Sequence, residues 1–182
     1  MQTPLKGLLC VNDGFLVDSM PGALQAWVLW GERYHPGFVL SAAYHGRRAS
    51  DIVAELVAGG QFQEALEYIN QLELDQAHAT IALSGTLDLL ASLPEGAWNI
   101  VTGANPELAR ARLSAAGILA PQALVTADDG QKGKPDPEPY LLGAQKIGVA
   151  IAECAVFEDA PAGLVAGKLA GAALLVLALI HI

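Results

Sequence analysis

The hydrophobic pattern opens with an unbroken run, Leu8 to Val11, set between Lys6-Gly7 and the turn-forming Asn12-Asp13-Gly14. Four apolar residues bounded by turn signals predict a short buried strand. From Ser19 the period changes. Pro21 suits a first helical turn, and Leu24, Trp27, Val28 and Gly31 recur at helical spacing until His35-Pro36-Gly37 breaks the pattern. Ile52, Leu56 and Val57 predict a second helix closed by Gly59-Gly60. Leu66, Ile69, Leu72 and Leu74 predict a third over about 61–79, and a fourth covers Thr86 to Leu93. Residues 20–80 are thus expected to be all-helical. That block is too long for one crossover between strands, so it is expected to be an insertion.

Beyond it, strands and helices alternate. Strands are predicted at Trp98–Val101, Ala123–Thr126, Ala155–Phe157 and Leu174–Leu179. Helices are predicted at Pro106–Ala116, Tyr140–Ile147 and Gly163–Leu169, with Gly117, Gly148 and Gly171 after them. This alternation predicts an α/β fold of three layers, a five-stranded parallel sheet with helices on both faces. Its core would be residues 1–19 and 81–182, with 20–80 as a helical unit inserted after the first strand.

Composition narrows the partners. A 182-residue chain that is 53% hydrophobic can bury a full core, and a formal charge of −9 argues against nucleic acid and anionic membranes. The two cysteines, Cys10 and Cys154, lie far apart in apolar runs, which predicts buried thiols in a reducing compartment rather than a disulfide framework. Zinc would need more Cys and His clustering. No basic, apolar leader is visible at Met1 to Lys6. The apolar run Leu169 to Ile182 is shorter than a membrane span, and a buried strand is expected there. The expectation is a cytoplasmic monomer.

Four segments carry chemistry, each at the end of a predicted strand. Asp13-Gly14 turns the chain sharply after the first strand, at the sheet edge where ligands of open α/β folds bind. Thr102-Gly103-Ala104-Asn105 precedes a helix and offers a hydroxyl and free amides to an anion. Two prolines and a glycine restrict the loop that holds Lys134, in Gly133-Lys134-Pro135-Asp136-Pro137. Glu158-Asp159 pairs two carboxylates, which repel unless a cation sits between them.

In this order the segments resemble the four motifs of the haloacid dehalogenase-like (HAD) hydrolases. The first motif of that family reads Asp-x-Asp-Gly-Thr-Leu-Val-Asp-Ser. Asp13-Gly14 and Leu16-Val17-Asp18-Ser19 match it, while the nucleophilic Asp falls on Val11 and the Thr on Phe15. The resemblance implies a Mg²⁺-dependent phosphatase acting on small phosphorylated sugars, with a helical cap over the site. It implies phosphate binding by Thr102, Gly103, Ala104, Asn105 and Lys134. It implies proton transfer by Asp13, charge neutralisation by Lys134, and a metal held by Asp13, Glu158 and Asp159. His45, Arg47 and Arg48 would reach the substrate from the cap. Members of the family usually continue a few tens of residues further, so the C-terminus reads as short.

Val11 has neither lone pair nor charge. It removes the attacking oxygen and one metal ligand, and so weakens Mg²⁺ binding. Asn12 cannot replace it, because neighbouring strand residues face opposite ways. Two readings follow. One is a phosphatase-type hydrolase, impaired or inactive. The other is a non-catalytic module of the same fold that binds a phosphorylated metabolite.

Overall fold

The computed structural model describes residues 4–178. The first strand, β1 (Gly7–Cys10), is central in a parallel sheet. β4 (Trp98–Ile100) and β5 (Cys154–Glu158) flank it, and β6 (Leu174–Leu177) lies outside β5. Leu9 pairs with Asn99 on one side and Val156 on the other. The sheet is covered by α5 (Pro106–Ala115), α6 (Glu138–Lys146) and α7 (Pro161–Ala170). Leu9, Val101, Tyr140, Val156 and Ala166 fill one face, and Cys10, Leu16, Ile100, Ala109 and Leu113 fill the other. An α/β fold with a parallel core sheet is therefore present.

Among the described residues the sheet has four strands rather than the five expected. The segment 123–126 makes only an isolated parallel bridge, Val101 to Val125. Two features keep it short. Pro121 brings no N–H to the start of the segment. At its other end the Thr126 N–H and hydroxyl both donate to Asp129 Oδ2, at 2.8 and 2.7 Å, and turn the chain away. The run at the C-terminus is an edge strand rather than a buried one, with Leu174 and Leu177 exposed. Its expected last residue, Leu179, lies outside the described residues, as does the rest of the run to Ile182.

The regular elements within residues 20–80 are helices, but 35–48 is irregular, so the block is not helical throughout as expected. α1 (Met20–Tyr34), α2 (Ala49–Leu56) and α3 (Phe62–Gln76) pack around Trp27, Trp30, Ile52, Val53, Ala65 and Ile69, a third apolar cluster. The Trp30 indole donates to the Ala65 carbonyl at 2.9 Å. A feature absent from the sequence reading joins this layer to the sheet. β2 (Val17–Asp18) and β3 (Ile81–Ala82) pair antiparallel, so both ends of the helical segment leave through one narrow neck. α4 (Thr86–Ser92) follows, and the Thr86 hydroxyl donates to the Leu16 carbonyl at 2.9 Å. No helix among the described residues is long and apolar enough to cross a membrane.

Cys10 and Cys154 are free and buried on neighbouring strands. Cys154 stands opposite Gly7, and Cys10 opposite Phe157. That offset of three residues places them roughly 10 Å apart along the strands, beyond disulfide reach. Burial pushes the Cys10 thiol up to about 12. Both thiols should therefore resist a thiol reagent in the native protein and react once it is unfolded. Stoichiometric labelling of the native protein would contradict this.

Asn12 is fully buried, and neither atom of its side-chain amide has a hydrogen-bond partner among the described residues. A buried polar group left unpaired costs roughly 1–3 kcal/mol. Asn12→Leu, a change of similar shape, should raise the urea midpoint of unfolding. A lower midpoint would show that the amide has a partner in solution.

Candidate functional site

The carboxyl ends of β1, β4 and β5 carry the predicted residues into one region. Backbone geometry comes first. Gly14 has φ +79°, and a Cβ there would stand 2.0 Å from Asp159 Oδ2. Only glycine lets the loop after β1 come this close to the loop after β5. Val11, Asp13, Thr102 and Asp159 consequently line one cavity of about 170 Å³ between the sheet edge and the helical layer. Gly103, Ala104 and Asn105 line it too. The Asn105 side chain caps α5 by accepting from the Leu108 N–H at 2.9 Å, and Pro106 occupies the first turn. The Thr102 hydroxyl accepts from the Ala104 N–H at 3.1 Å. These groups form a hydroxyl-and-amide cradle at a helix N-terminus, a natural seat for an anion.

Glu158 and Lys134 lie beneath this surface. Glu158 is 0% exposed and Lys134 3% exposed. Lys134 Nζ and the Tyr140 hydroxyl both donate to Glu158 Oε1, while the amides of Asp159 and Ala160 donate to Oε2 at 3.1 and 3.2 Å. Lys134 also donates to the Val101 carbonyl at 3.2 Å. Room for the carboxylate comes from Gly163, where a Cβ would fall 1.9 Å from Glu158 Cδ. Burial, reinforced by Glu158, holds the Tyr140 hydroxyl well above its usual pKa, so it stays a donor. Burial and the neighbouring Glu158 push Asp159 up to about 7.

Of the three residues expected to hold Mg²⁺, Asp13 and Asp159 line the cavity while Glu158 is enclosed beneath it. Glu158 is consumed by Lys134, Tyr140 and two amides. Asp13 Oδ1 accepts from Ser19 Oγ at 2.6 Å and from Arg112 Nη1 at 3.1 Å, and Thr102 Oγ1 approaches Oδ2 at 3.4 Å. Position 11 supplies a methyl-bearing side chain. Among the described residues no group of three or more His, Cys, Asp or Glu converges as a metal site. With Val11 at the cavity and Glu158 enclosed, Asp13 and Asp159 are the expected metal-holding residues that remain on this surface.

His45, Arg47 and Arg48 do line the cavity, but the guanidinium groups of the two arginines are engaged elsewhere. Arg48 is buried and donates to the carbonyls of Gln131 and Lys132, which ties the helical layer to the loop before Lys134. Arg47 pairs with Glu55 at 2.8 Å and lies over the Tyr44 ring. Phe15 stacks on Phe157, with ring centroids 5.1 Å apart, and does not line the cavity.

Two residues that the motif reading missed face the cavity. Arg112, on α5, donates through Nη1 to Asp13 and through Nη2 to Glu73 of α3 at 3.1 Å each. Both are nearly buried, Arg112 at 6% and Glu73 at 8% exposure. Burial lowers the proton affinity of Arg112, but Asp13 and Glu73 more than offset this and leave its pKa raised. Burial also raises the pKa of Glu73. The sequence carries only a faint signal for them. Ala65, Ile69 and Glu73 share one helical stripe, as do Leu108, Ala109, Arg112 and Leu113, so each charge sits at a core position.

A family model described as haloacid dehalogenase-like hydrolase matches residues 12–171. The chain belongs to the haloacid dehalogenase-like hydrolases. It is similar to hexitol phosphatase A of Escherichia coli (strain K12), with 41% identity over 173 residues that cover 91% of this chain and 80% of that protein. Glycerol-1-phosphate phosphohydrolase 2 of Saccharomyces cerevisiae (strain ATCC 204508 / S288c) is 33% identical, with 87% and 69% covered. Among solved structures, a hydrolase from Pseudomonas syringae aligns with a TM-score of 0.81 at 27% identity, covering 92% of this chain and 82% of that one. In this HAD-like hydrolase Val11, just after β1 and 2% exposed, is among the residues that line the cavity.

Removing one member of the Arg112 cluster leaves buried charge uncompensated. Arg112→Met should destabilise the protein by about 3–5 kcal/mol. Adding Glu73→Leu should recover part of that loss, because an apolar pair can replace a buried ion pair. Urea unfolding of the four proteins of this cycle is the check. Additive losses would mean that the two side chains do not interact.

Proposed function

We propose that the cavity binds a small phosphorylated sugar or polyol, and that hydrolysis of this ligand is impaired because Val11 stands where the attacking carboxylate belongs. The observation that carries the reading is the position of Val11 itself. Its side chain lines the cavity together with Thr102, Asp13 and Asp159. The relatives act, by their names, on hexitol and glycerol phosphates, which supports the ligand class. Cavity size supports it too. About 170 Å³ is well below the roughly 300–1,000 Å³ of sites for larger ligands, so a small metabolite fits and a dinucleotide does not.

Each residue contributes by position. Thr102 and the amides at the start of α5 hold the phosphoryl oxygens. Lys134, neutralised in part by Glu158, sets the potential beneath them without touching the ligand. Asp13 is held beside the cavity by Ser19 and Arg112, in place to exchange a proton with a leaving oxygen. The helical layer acts as a cap. It closes the cavity from above and pivots at the β2–β3 neck.

Phosphoryl transfer through an aspartyl intermediate needs a carboxylate oxygen in line with phosphorus. Val11 is close to Asp in shape, so the fold accepts the change while the chemistry loses its nucleophile. Loss of a covalent nucleophile costs up to ~10⁶ in rate. Val11→Asp should therefore raise phosphate release from glycerol 1-phosphate and hexitol phosphates by orders of magnitude, assayed with Mg²⁺ in the buffer. Because Phe15 packs away from the cavity, the single change should suffice. Robust turnover by the parent, its mass confirming Val11, would overturn the assignment.

A further inference from the structure

We infer that Glu73 and Arg112 form a specificity wall that recognises hydroxyl groups on the carbon part of the ligand. The inference rests on the ligand class proposed above and names the residues that read it.

The walls of the cavity differ in character. Trp27, Leu40, Ile52 and Leu66 present apolar surface from the helical layer. On the α3–α5 side the lining turns polar, with Asn70 and Glu73 on one helix and Arg112 on the other. Asn70 and Glu73 are three residues apart and so share a helix face. Arg112 bridges Glu73 to Asp13, 3.1 Å from each carboxylate. The polar wall therefore begins beside Asp13, next to the anion cradle, and continues away from it along α3. A phosphate ester seated in the cradle would lay its first carbons against this wall.

Stability does not account for the pair. Both side chains occupy core positions of their helices, and a packed apolar pair of similar volume is often at least as stable as a buried ion pair. Charge at both positions is explained when the wall has a polar ligand group to meet. Carboxylate, amide and guanidinium together supply acceptors and donors in fixed places, which suits a hydroxylated chain. A site built to bond a hydroxyl rejects an analogue that lacks it, because its own polar groups are then left unpaired. Arg112 has a second effect. By holding Asp13 and Glu73 at once, it sets the distance between the helical layer and the cradle, and so the length of ligand admitted.

The test is calorimetric titration of the protein as it stands, carrying Val11, with inorganic phosphate, glycerol 1-phosphate and ethyl phosphate. Ethyl phosphate is a monoester without hydroxyl groups. The parent should bind glycerol 1-phosphate on the order of tenfold or more tighter than ethyl phosphate. In the double variant Glu73→Leu with Arg112→Met, the ratio should fall to about one. Glu73→Gln, which keeps the shape, should lower the ratio without unfolding the protein. An undiminished ratio in both variants, each shown folded by circular dichroism, overturns the inference and leaves the phosphate site intact. A parent that binds phosphate but does not prefer glycerol 1-phosphate also overturns it. A parent that binds none of the three probes overturns the inference together with the ligand class on which it rests.

Discussion

One buried carboxylate organises the site. Glu158 has no exposure to water, so its charge must be met inside the protein. Lys134, Tyr140 and the amides of Asp159 and Ala160 meet it. Those partners come from the loop before α6, from α6 itself and from the turn into α7. Lys134 extends the connection to the end of β4 through the Val101 carbonyl. A single side chain thus ties together elements that are far apart in sequence, and the cavity floor rests on them. The same commitment keeps Glu158 enclosed below the cavity rather than on its lining.

A second buried charge centre, Arg112, does for the cavity wall what Glu158 does for the floor. It joins the loop after β1 to the helical layer, and no apolar residue could hold both carboxylates. Val11 lines the same cavity as Asp13, Thr102 and Arg112, an apolar side chain among polar ones. The contrast shows how little of an active site resides in any one residue type. In the proposed reading, fold, cradle and cavity persist while bond-making lacks the carboxylate oxygen that valine cannot supply.

Much of the fold was readable from hydrophobic period alone. The helical block at 20–80 and the alternation after Trp98 are long, regular signals, and observed helices lie within a few residues of the predicted ones. The fifth strand failed because periodicity reports burial, not pairing. Ala123 to Thr126 is apolar and tucked in, yet Pro121 and the Asp129 turn limit it to one bridge. The β2–β3 neck escaped because two-residue strands carry no period. At the site, Asp13, Thr102 and Asp159 were visible as punctuation at strand ends. Arg112 and Glu73 were not, since neither lies in a recognisable motif, and each was hidden as one polar letter in an apolar stripe. Arg48 was visible but misjudged, because its partners are backbone carbonyls of a distant loop that no sequence pattern announces.

The central claim is that the sheet edge still binds a phosphoryl group although Val11 has replaced the nucleophile. It is tested most directly by following backbone amide resonances while inorganic phosphate is added. The account predicts saturable shifts centred on Gly103, Ala104 and Asn105, with smaller ones at Gly14 and Asp159. Shifts absent from these residues at saturating phosphate, or confined to another face of the protein, would contradict it.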